Sequence, residues 1–380
     1  MLKRPINVLH VISRLPVGGV ERQLSAVLRN YDRQKIMPFV CSLSDRGEVG
    51  LEIQAMGIEL ICLNKLGHGF SVSLVSHLIR IMKDKRIDVV RTHQYHANLY
   101  GRIAAVICRI PCIVPSIHNV YTRDRKLHRR ILNNLLGRLS DAVIAVSEAV
   151  KDDVMTYDNI PSGRLRVIYN GIEEVRFTGN TGAEIRSEFN LPENAVIVGS
   201  VGRLTTQKGQ QYLVEAVASL VKDFPGLRLL MVGDGPDKAV LLRLVREKGL
   251  EGRVIFTGSR DDVPHLLAAM DIFVFPSLWE GLPNALVEAM AAGKAIIATN
   301  IKPNREVLGS EDAGMFVTSK DSMSIASGIA ALIRNRTLAR QLGAAAQARA
   351  FSRFTVAGTV LAYTTLFEDI LSAKGWITYS

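Results

Sequence analysis

Short apolar strands alternate with helical segments along the whole of this 380-residue chain. The apolar runs are too short and too rich in β-branched residues for buried helices, whereas the segments between them have helical periodicity. Strands connected by helices of this length imply right-handed crossovers and a parallel sheet, so the fold class is α/β. The predicted strands are 6–12, 37–42, 59–63, 87–92, 112–117, 142–146, 195–201, 229–232, 254–256, 272–275, 295–299 and 315–317, and the clearest helices are 72–85, 97–108 and 126–139.

The pattern of strands and helices runs through the chain twice. Residues 172–194 are polar and irregular, which is typical of a linker, and the nearly all-apolar strand 195–201 restarts the pattern. A chain of this length is large enough for two domains of ordinary size. We therefore expect one α/β domain over residues 1–172 and a second over residues 190–354.

One strand–loop–helix stretch carries two carboxylates. The strand 272–275 ends at Pro276, which cannot donate to a ladder, and a helix follows with Asn284 as its predicted N-cap. Glu280 and Glu288 are thereby held close together at the carboxyl end of the strand, where open α/β sheets bind ligands. The unpaired N–H groups at the start of the helix suit an anion such as a phosphate. The alternative is a surface loop with two solvated acids.

The loops after the first strand of each half hold glycines and cations. Gly18 and Gly19 let backbone N–H groups approach a ligand, and Glu21 in the next helical turn suits the helix dipole. In the second half, Arg203 and Lys208 flank the corresponding loop, where two cations could neutralise a diphosphate. The alternative for both is ordinary surface charge. Further turns at strand ends contain Gly233, Asp234 and Gly258.

Histidines follow two strands of the first half. His93 and His118 both lie just past the carboxyl end of a strand, at the edge where ligands gather. His96, a little further along, is expected to have no functional role. A lone histidine is more often structural than catalytic, so a structural role is the alternative for His93 and His118.

Several of these motifs together resemble those of the retaining family 4 glycosyltransferases (GT4), which have the GT-B fold. The resemblance lies in the spacing Glu280-x7-Glu288 with Gly281, Leu282 and Pro283 in between, and in the Arg203-x4-Lys208-Gly loop. The GGVERQL sequence after the first strand is similar to the family's glycine loop. The stretch 166–171 is similar to the segment that closes the first domain, with Tyr169 where proline is usual. The resemblance covers nearly the whole chain.

The resemblance implies two Rossmann-like domains that face each other across a cleft, with a last helix over about 355–380 packing back on the first domain. The second domain would hold a UDP- or GDP-linked sugar and the first domain the acceptor. By resemblance, Arg203 and Lys208 stabilise the departing diphosphate, Glu288 binds the ribose, and Glu280 with His118 contacts the sugar. Retention by front-face attack is implied, because no side chain is an obvious nucleophile. Further substrate contacts are expected at Gly18, Gly19, Gly233, Asp234, Gly258, Gly281 and Leu282.

Neither a metal ion nor another cofactor is expected. The sequence has no Asp-x-Asp triplet, and Arg203 with Lys208 supplies the charge that a divalent ion would otherwise provide. Cys108 and Cys112 are close enough in sequence to share a metal, but no cluster of Cys or His with ligand spacing accompanies them. We therefore expect the four cysteines to be buried free thiols.

Positive charge is concentrated in the first half of the chain. Residues 1–170 hold 25 Lys and Arg against 14 Asp and Glu, whereas residues 171–380 hold 22 of each class. The basic segment 123–130 leads into Ile131, Leu135 and Leu139, which are spaced as on one helical face. Either this helix packs its apolar stripe on the sheet and solvates its basic face, or it docks on anionic lipid headgroups. The acceptor-side residues would then be His93, Arg125, Lys126, Arg129 and Arg130.

These motifs favour transfer of a sugar from a nucleotide sugar to a glycan or lipid-linked acceptor, in the biosynthesis of a surface polysaccharide. We expect a cytoplasmic enzyme, with the inner face of the cell membrane as its candidate docking surface, because no apolar run spans a bilayer and no signal peptide is recognisable. A nucleotide-sugar epimerase would share the fold. A nucleic-acid-binding protein could use the basic half, but only 6% of the residues are aromatic. A binding protein without catalysis is disfavoured because all four donor-site charges are present.

Overall fold

The computed structural model describes residues 4–67, 69–120 and 127–377. The chain divides into two compact units. The first unit comprises Met1–Gly171 together with Val356–Ser380, and the second comprises Ile172–Thr355. Within the described part of the chain, no helix is long and apolar enough to cross a membrane.

The first unit is built on a seven-stranded parallel sheet with the strand order β3-β2-β1-β4-β5-β6-β7. The strands are β1 (Ile6–Ile12), β2 (Ile36–Ser42), β3 (Glu59–Cys62), β4 (Val89–His93), β5 (Cys112–Ile117), β6 (Val143–Ala145) and β7 (Leu165–Val167). The helices between them are α1 (Gly19–Arg29), α2 (Gly47–Ala55), α3 (Val72–Asp84), α4 (Tyr95–Ile107), α5 (Leu127–Leu139) and α6 (Glu148–Asp158). The strands are apolar along most of their length because helices cover both faces of the sheet.

The second unit repeats this design with a six-stranded parallel sheet in the order β10-β9-β8-β11-β12-β13. Its strands are β8 (Val196–Val201), β9 (Leu227–Val232), β10 (Val254–Gly258), β11 (Ile272–Phe275), β12 (Ala295–Thr299) and β13 (Met315–Val317). Its helices are α7 (Ala183–Glu188), α8 (Gln210–Leu220), α9 (Lys238–Glu247), α10 (Val263–Ala269), α11 (Asn284–Ala291), α12 (Lys302–Leu308), α13 (Ser322–Arg334) and α14 (Arg336–Arg353). In both sheets the order reverses beside the first strand, so loops gather at one carboxyl edge.

The last helix, α15 (Val356–Ala373), belongs to the first unit. Its residues Tyr363, Phe367 and Leu371 recur every fourth position and are buried in one core cluster with Leu24 and Leu28 of α1. Burial of each such side chain contributes about 2 kcal/mol. The opposite face of the sheet packs against α3 and α4. A helix from the far end of the chain therefore completes the core of the first unit.

The strand register of the first sheet places polar residues side by side. His10 in β1 is paired with Arg91 in β4, and His93 at the end of β4 is paired with Ser116 in β5. All four residues are buried. The carboxyl half of this sheet therefore contains a polar interior within an apolar core.

The structure differs from the sequence-based expectations in several places. The stretch 172–194 is not an irregular linker, because it contains α7 and belongs to the second unit, with Phe177 and Ile185 buried. The three-residue strand β7 was not predicted, since its middle residue is exposed and the strand is too short to give a pattern. Asn284 is the first residue of α11 and Pro283 occupies the N-cap position, without a side-chain cap.

The helix α5 also corrects one interpretation. Ile131, Leu135 and Leu139 are 61%, 55% and 49% exposed, so their stripe does not pack on the sheet. The buried face consists instead of Asn133, Leu136 and Gly137. Gly137 lies so close to α6 and the following turn that an added Cβ would stand 2.6 Å from Ile160 Cδ1. The helix α5 thus packs on the first unit through small and polar residues, and its apolar stripe faces outward.

Candidate functional site

At the carboxyl edge of the second sheet, the loop after β8 packs against the loop after β11. Gly209 has a φ of +65°, and an added Cβ would stand 2.2 Å from the carbonyl oxygen of Pro276. Leu278 N donates to Gln207 O at 2.7 Å, and Gln207 Nε2 donates to Trp279 O at 2.8 Å. Only glycine allows this close approach, so the sequence Lys208-Gly209 fixes one loop against the other.

This packing brings Lys208 and Glu280 together. Lys208 Nζ lies 2.6 Å from Glu280 Oε1, and the two side chains are only 20% and 6% exposed. The ammonium also lies 5.2 Å from the centre of the Phe275 ring. A charge-assisted contact between partly buried groups holds the cation in a defined position.

Arg203 is held differently. Its backbone oxygen accepts a hydrogen bond from Gln210 Nε2 at 3.1 Å, while its side chain is exposed. Among the described residues, nothing forms an ion pair or a hydrogen bond with its guanidinium. With Lys208 and Glu280 paired, the charge of Arg203 remains available to an anion. Glu288 lies half-buried in α11, where it makes contacts of its own.

The neighbouring turns are shaped by glycines. An added Cβ on Gly233 would stand 2.2 Å from Gly202 O, so the turns after β8 and β9 touch backbone to backbone. Gly233 N donates to Gly258 O at 2.9 Å, which joins the turn after β10. Gly281 and Leu282 are buried in the loop before α11.

Asp234 lies at the same edge, and its negative charge is paired with Lys238. Its carboxylate accepts from Lys238 Nζ at 2.9 Å and from Gly235 N at 2.7 Å. These hydrogen bonds lower the pKa of Asp234, the contact with Lys238 contributing most. The side chain is exposed, so the effect on stability is screened by solvent.

In the first unit, the glycine loop lies against a buried acid. Gly18 is the N-cap of α1, and an added Cβ there would stand 2.4 Å from Glu21 Oε2. Burial raises the pKa of Glu21, while a short hydrogen bond from Gln94 Nε2 opposes the shift. Gln94 itself has a φ of +69°, a conformation that nonglycine residues adopt mostly where surrounding structure imposes it.

Three histidines meet inside the carboxyl half of the first sheet. His10 Nδ1 lies 3.4 Å from His93 Nε2, and His93 Nδ1 lies 3.3 Å from His118 Nε2. Burial, reinforced by the charge of Arg91, lowers the pKa of all three imidazoles, and that of His118 to about 3. The three rings are therefore neutral at physiological pH.

Arg91 is the buried cation of this cluster. Its guanidinium stacks 3.4 Å above the centre of the Tyr363 ring, and its Nε donates weakly to Ser116 Oγ at 3.4 Å. Arg91 Nη1 and His118 Nδ1 are both buried and have no partner among the described residues. Both side chains line a small cavity within the first unit, together with Asn170.

The structure places the acceptor-side residues as follows. His93 belongs to the histidine cluster, Arg129 stacks 4.3 Å from the centre of the Tyr95 ring, and Arg130 is exposed on α5. Arg125 and Lys126 lie outside the described residues. His96 is exposed at the start of α4 and takes no part in the cluster.

Sequence reasoning missed His10 and Arg91, and it treated Glu21 only as an acid that suits the dipole at the start of a helix. A signal was present for the first two, because a histidine or arginine inside a strand that is otherwise apolar must be buried with partners. Glu21 carried no comparable signal, since acids in a first helical turn are common.

The cysteines form no cluster. Cys41 and Cys112 are buried and Cys62 and Cys108 are half-buried, all as free thiols. Desolvation raises the pKa of Cys41 to about 12 and also raises that of Cys112. Across residues 4–67, 69–120 and 127–377, no group of three or more His, Cys, Asp or Glu is arranged to hold a metal ion.

Solved structures with the same architecture include glycosyltransferases. The structure superposes on HepE from Anabaena in complex with UDP and glucose with a TM-score of 0.86, covering 96% of this chain and 100% of that one at 23% identity. It also matches WaaG, a glycosyltransferase involved in lipopolysaccharide biosynthesis, with a TM-score of 0.71, covering 95% and 99% of the two chains at 15% identity. The fold is therefore GT-B.

Sequence comparisons agree with the fold. The chain is 29% identical over 292 residues to the UDP-Gal:alpha-D-GlcNAc-diphosphoundecaprenol alpha-1,3-galactosyltransferase of Escherichia coli, covering 74% of both. It is 27% identical over 309 residues to the N-acetyl-alpha-D-glucosaminyl L-malate synthase of Bacillus anthracis, covering 80% of both. A model of Glycosyltransferase Family 4 matches residues 17–176, and a model of Glycosyl transferases group 1 matches residues 182–349. Because these two models account for the two units in turn, the chain belongs to the family 4, group 1 glycosyltransferases.

Proposed function

We propose that this glycosyltransferase moves a sugar from a UDP- or GDP-linked donor to a lipid-linked glycan, with retention of configuration and without a metal ion. The observation that carries the proposal is the pair of Lys208 and Glu280, 2.6 Å apart, at the edge of the second sheet. Arg203 lies in the same loop as Lys208, and its guanidinium has no partner in the described part of the chain. Because Glu280 is paired with Lys208, the charge of Arg203 is left for an anion. Such a site suits a diphosphate that gains negative charge as it leaves.

In the proposed reaction the bond between the anomeric carbon and the diphosphate oxygen breaks, and its electrons go to the diphosphate. The acceptor hydroxyl forms the new bond on the same face of the sugar and transfers its proton to the departing oxygen. Lys208 and Arg203 stabilise the charge on the leaving group. Glu280 holds the lysine in place before the donor arrives, so that little reorganisation is needed during the reaction.

The same cations support a reaction without a metal ion. A divalent ion would neutralise the leaving diphosphate and polarise its oxygens. Arg203 and Lys208 supply that charge from one loop, with the planar guanidinium suited to two phosphate oxygens at once.

A thermal-shift screen of UDP- and GDP-sugars is the first test of the proposal. A donor present at about a hundred times its Kd should stabilise the protein by about 2.7 kcal/mol. If none of the UDP- or GDP-sugars raises the Tm, the donor site is wrongly assigned.

The proposed acceptor is lipid-linked because of the outward face of α5. Leu127, Ile131, Leu135 and Leu139 form an exposed apolar stripe, and the exposed cations Arg130 and Arg138 lie on the same helix. An amphipathic helix of this kind fits the headgroup region of an anionic bilayer, where each cation contributes about 1 kcal/mol. The Escherichia coli relative is named for an acceptor on diphosphoundecaprenol, which supports the same reading.

Co-sedimentation with vesicles tests this docking surface. We expect binding to vesicles that contain anionic lipid, weaker binding to neutral vesicles, and weakening by salt. Replacing Arg130 and Arg138 by Gln should reduce binding to anionic vesicles about 30-fold, from two cations at about 1 kcal/mol each. Replacing Arg80 and Lys83, two exposed cations of α3, by Gln is the matched control and should have little effect. Equal binding to neutral and anionic vesicles would remove the membrane from the proposal and favour a soluble acceptor.

A further inference from the structure

The three buried histidines extend into a chain of four side chains. Tyr31 Oη lies 3.4 Å from His10 Nε2, and the chain continues from His10 to His93 and from His93 to His118. The rings of neighbouring histidines are near-parallel, with centroids 5.7 and 5.6 Å apart. Each imidazole therefore uses one ring nitrogen toward each neighbour. The chain ends at His118 Nδ1, which is buried and has no partner among the described residues.

A neutral imidazole has one donor nitrogen and one acceptor nitrogen, so the direction of a single hydrogen bond determines all the others. Burial and the charge of Arg91 lower the pKa of the three histidines, which keeps each of them neutral. Burial also raises the pKa of Tyr31 to about 12, so its hydroxyl keeps its proton.

The direction is set at the Tyr31 end. Among the described residues, His10 Nε2 at 3.4 Å is the one acceptor within hydrogen-bond distance of the buried Tyr31 hydroxyl. The O–H of Tyr31 therefore donates to His10 Nε2, because a buried hydroxyl is rarely left without an acceptor. It follows that His10 donates from Nδ1 to His93 Nε2 and that His93 donates from Nδ1 to His118 Nε2.

We propose that Tyr31, His10 and His93 are positioning residues that hold His118 in its Nδ1–H tautomer, so that this N–H donates to an oxygen of the bound sugar substrate. An isolated histidine prefers the Nε2–H form, so the chain imposes the less common one. His118 and Arg91 line the same cavity of about 10 Å³, which is about the size that admits one oxygen-sized group. The substrate in this inference rests on the proposed function, but the tautomer does not.

The test is the tautomeric state of each ring in the full chain labelled with ¹⁵N-histidine, read from two-bond ¹H–¹⁵N correlations without any substrate. We expect His10, His93 and His118 to carry their proton on Nδ1 from pH 6 to pH 8, the range about neutrality in which free histidine would titrate. A failure to transfer sugar would leave this result intact, so the two proposals fail separately.

Variants test the coupling along the chain. Tyr31→Phe removes the O–H that fixes the direction, and we expect the proportion of the Nε2–H form at His118 to rise about fivefold, the equivalent of one neutral hydrogen bond. His10→Phe should do the same. Tyr100→Phe is the matched control, because this buried hydroxyl bonds Gly69 O and Ser71 N at 3.0 Å and lies outside the chain. A wild-type His118 protonated on Nε2 would overturn the proposal, as would an unchanged tautomer in both Tyr31→Phe and His10→Phe.

Discussion

The carboxyl edges of the two sheets hold their polar groups in opposite ways. In the second unit the groups are charged and sit in loops beyond the strands, where Lys208 pairs with Glu280 and Arg203 is exposed. In the first unit they lie within or just past the strands and are mostly neutral, with His10, His93 and His118 gathered around Arg91. One edge can thus supply the cation Arg203 to an anion, whereas the other can supply oriented hydrogen bonds to neutral oxygens.

The difference follows from where each polar group enters the chain. A charge in a loop can stay exposed, as Arg203 does, or can be paired with an opposite charge, as Lys208 is with Glu280. Both arrangements limit the desolvation cost of keeping the charge before a ligand binds. A polar group inside a strand is desolvated on folding, so it must be satisfied by its neighbours. The same Rossmann-like topology therefore produces a neutral edge where the polar residues lie inside the strands, and a charged edge where they lie a few residues later, in the loops.

The largest expected effect is the loss of the charged edge. Lys208→Ala and Arg203→Ala should each lower kcat about 10²–10³-fold, because each removes a preorganised partner of the leaving group. Lys208→Ala also leaves Glu280 with its carboxylate almost buried and unpaired. Steady-state kinetics with the donor identified by screening measure the effect. The control is Lys222→Ala, which removes an exposed lysine just beyond the other end of α8. Near-normal turnover in Lys208→Ala and Arg203→Ala would mean that the charged edge does not act on the leaving group.

A second prediction concerns a buried acid in the first unit. Asp158 is fully buried at the end of α6, and desolvation raises its pKa to about 6 although Asn133 donates to it at 3.4 Å. The folded state therefore binds a proton more tightly than the unfolded state, so stability falls as pH rises from about 4 to about 6 and stays lower above that range. Asp158→Asn should remove this loss, at most about 3 kcal/mol, and should stabilise the protein at pH 7.

Urea unfolding at pH 4.5, 6 and 7.5, values that bracket a pKa of about 6, measures the effect on Asp158. The control is Asp152→Asn, which changes an exposed carboxyl group on the same helix. The prediction would be contradicted if the stability of the wild type rose from pH 4.5 to pH 6 and this rise were absent in Asp158→Asn. Such a rise would mean that the first unit stabilises this charge instead of suppressing it.

The sequence predicted the charged edge better than the neutral one. Arg203, Lys208 and Glu280 stand in the loops after β8 and β11, two strands that apolar runs define clearly. The position of each such residue can be predicted from one loop and its spacing. The bounds of β5, β12 and β13 were likewise predicted as the structure has them.

The neutral edge depends on contacts between residues that are far apart in sequence. His10 and His93 meet only because β1 pairs with β4, and Tyr31 reaches them from the end of α1. No local pattern specifies this meeting. The same holds for α5, whose apolar spacing was read correctly as one helical face, while its outward direction depends on small and polar contacts with α4 and α6.

The most direct measurement is a transfer assay with a nucleotide-sugar donor and a diphospholipid-linked sugar acceptor, run with EDTA and analysed by NMR of the product. We expect a product with the same anomeric configuration as the donor, at a rate that EDTA does not change. Such a result would agree with two side-chain cations, Arg203 and Lys208, acting on the leaving diphosphate. Inversion of configuration, epimerisation of the donor in the absence of acceptor, or a rate restored after EDTA only by Mg²⁺ or Mn²⁺ would contradict the account.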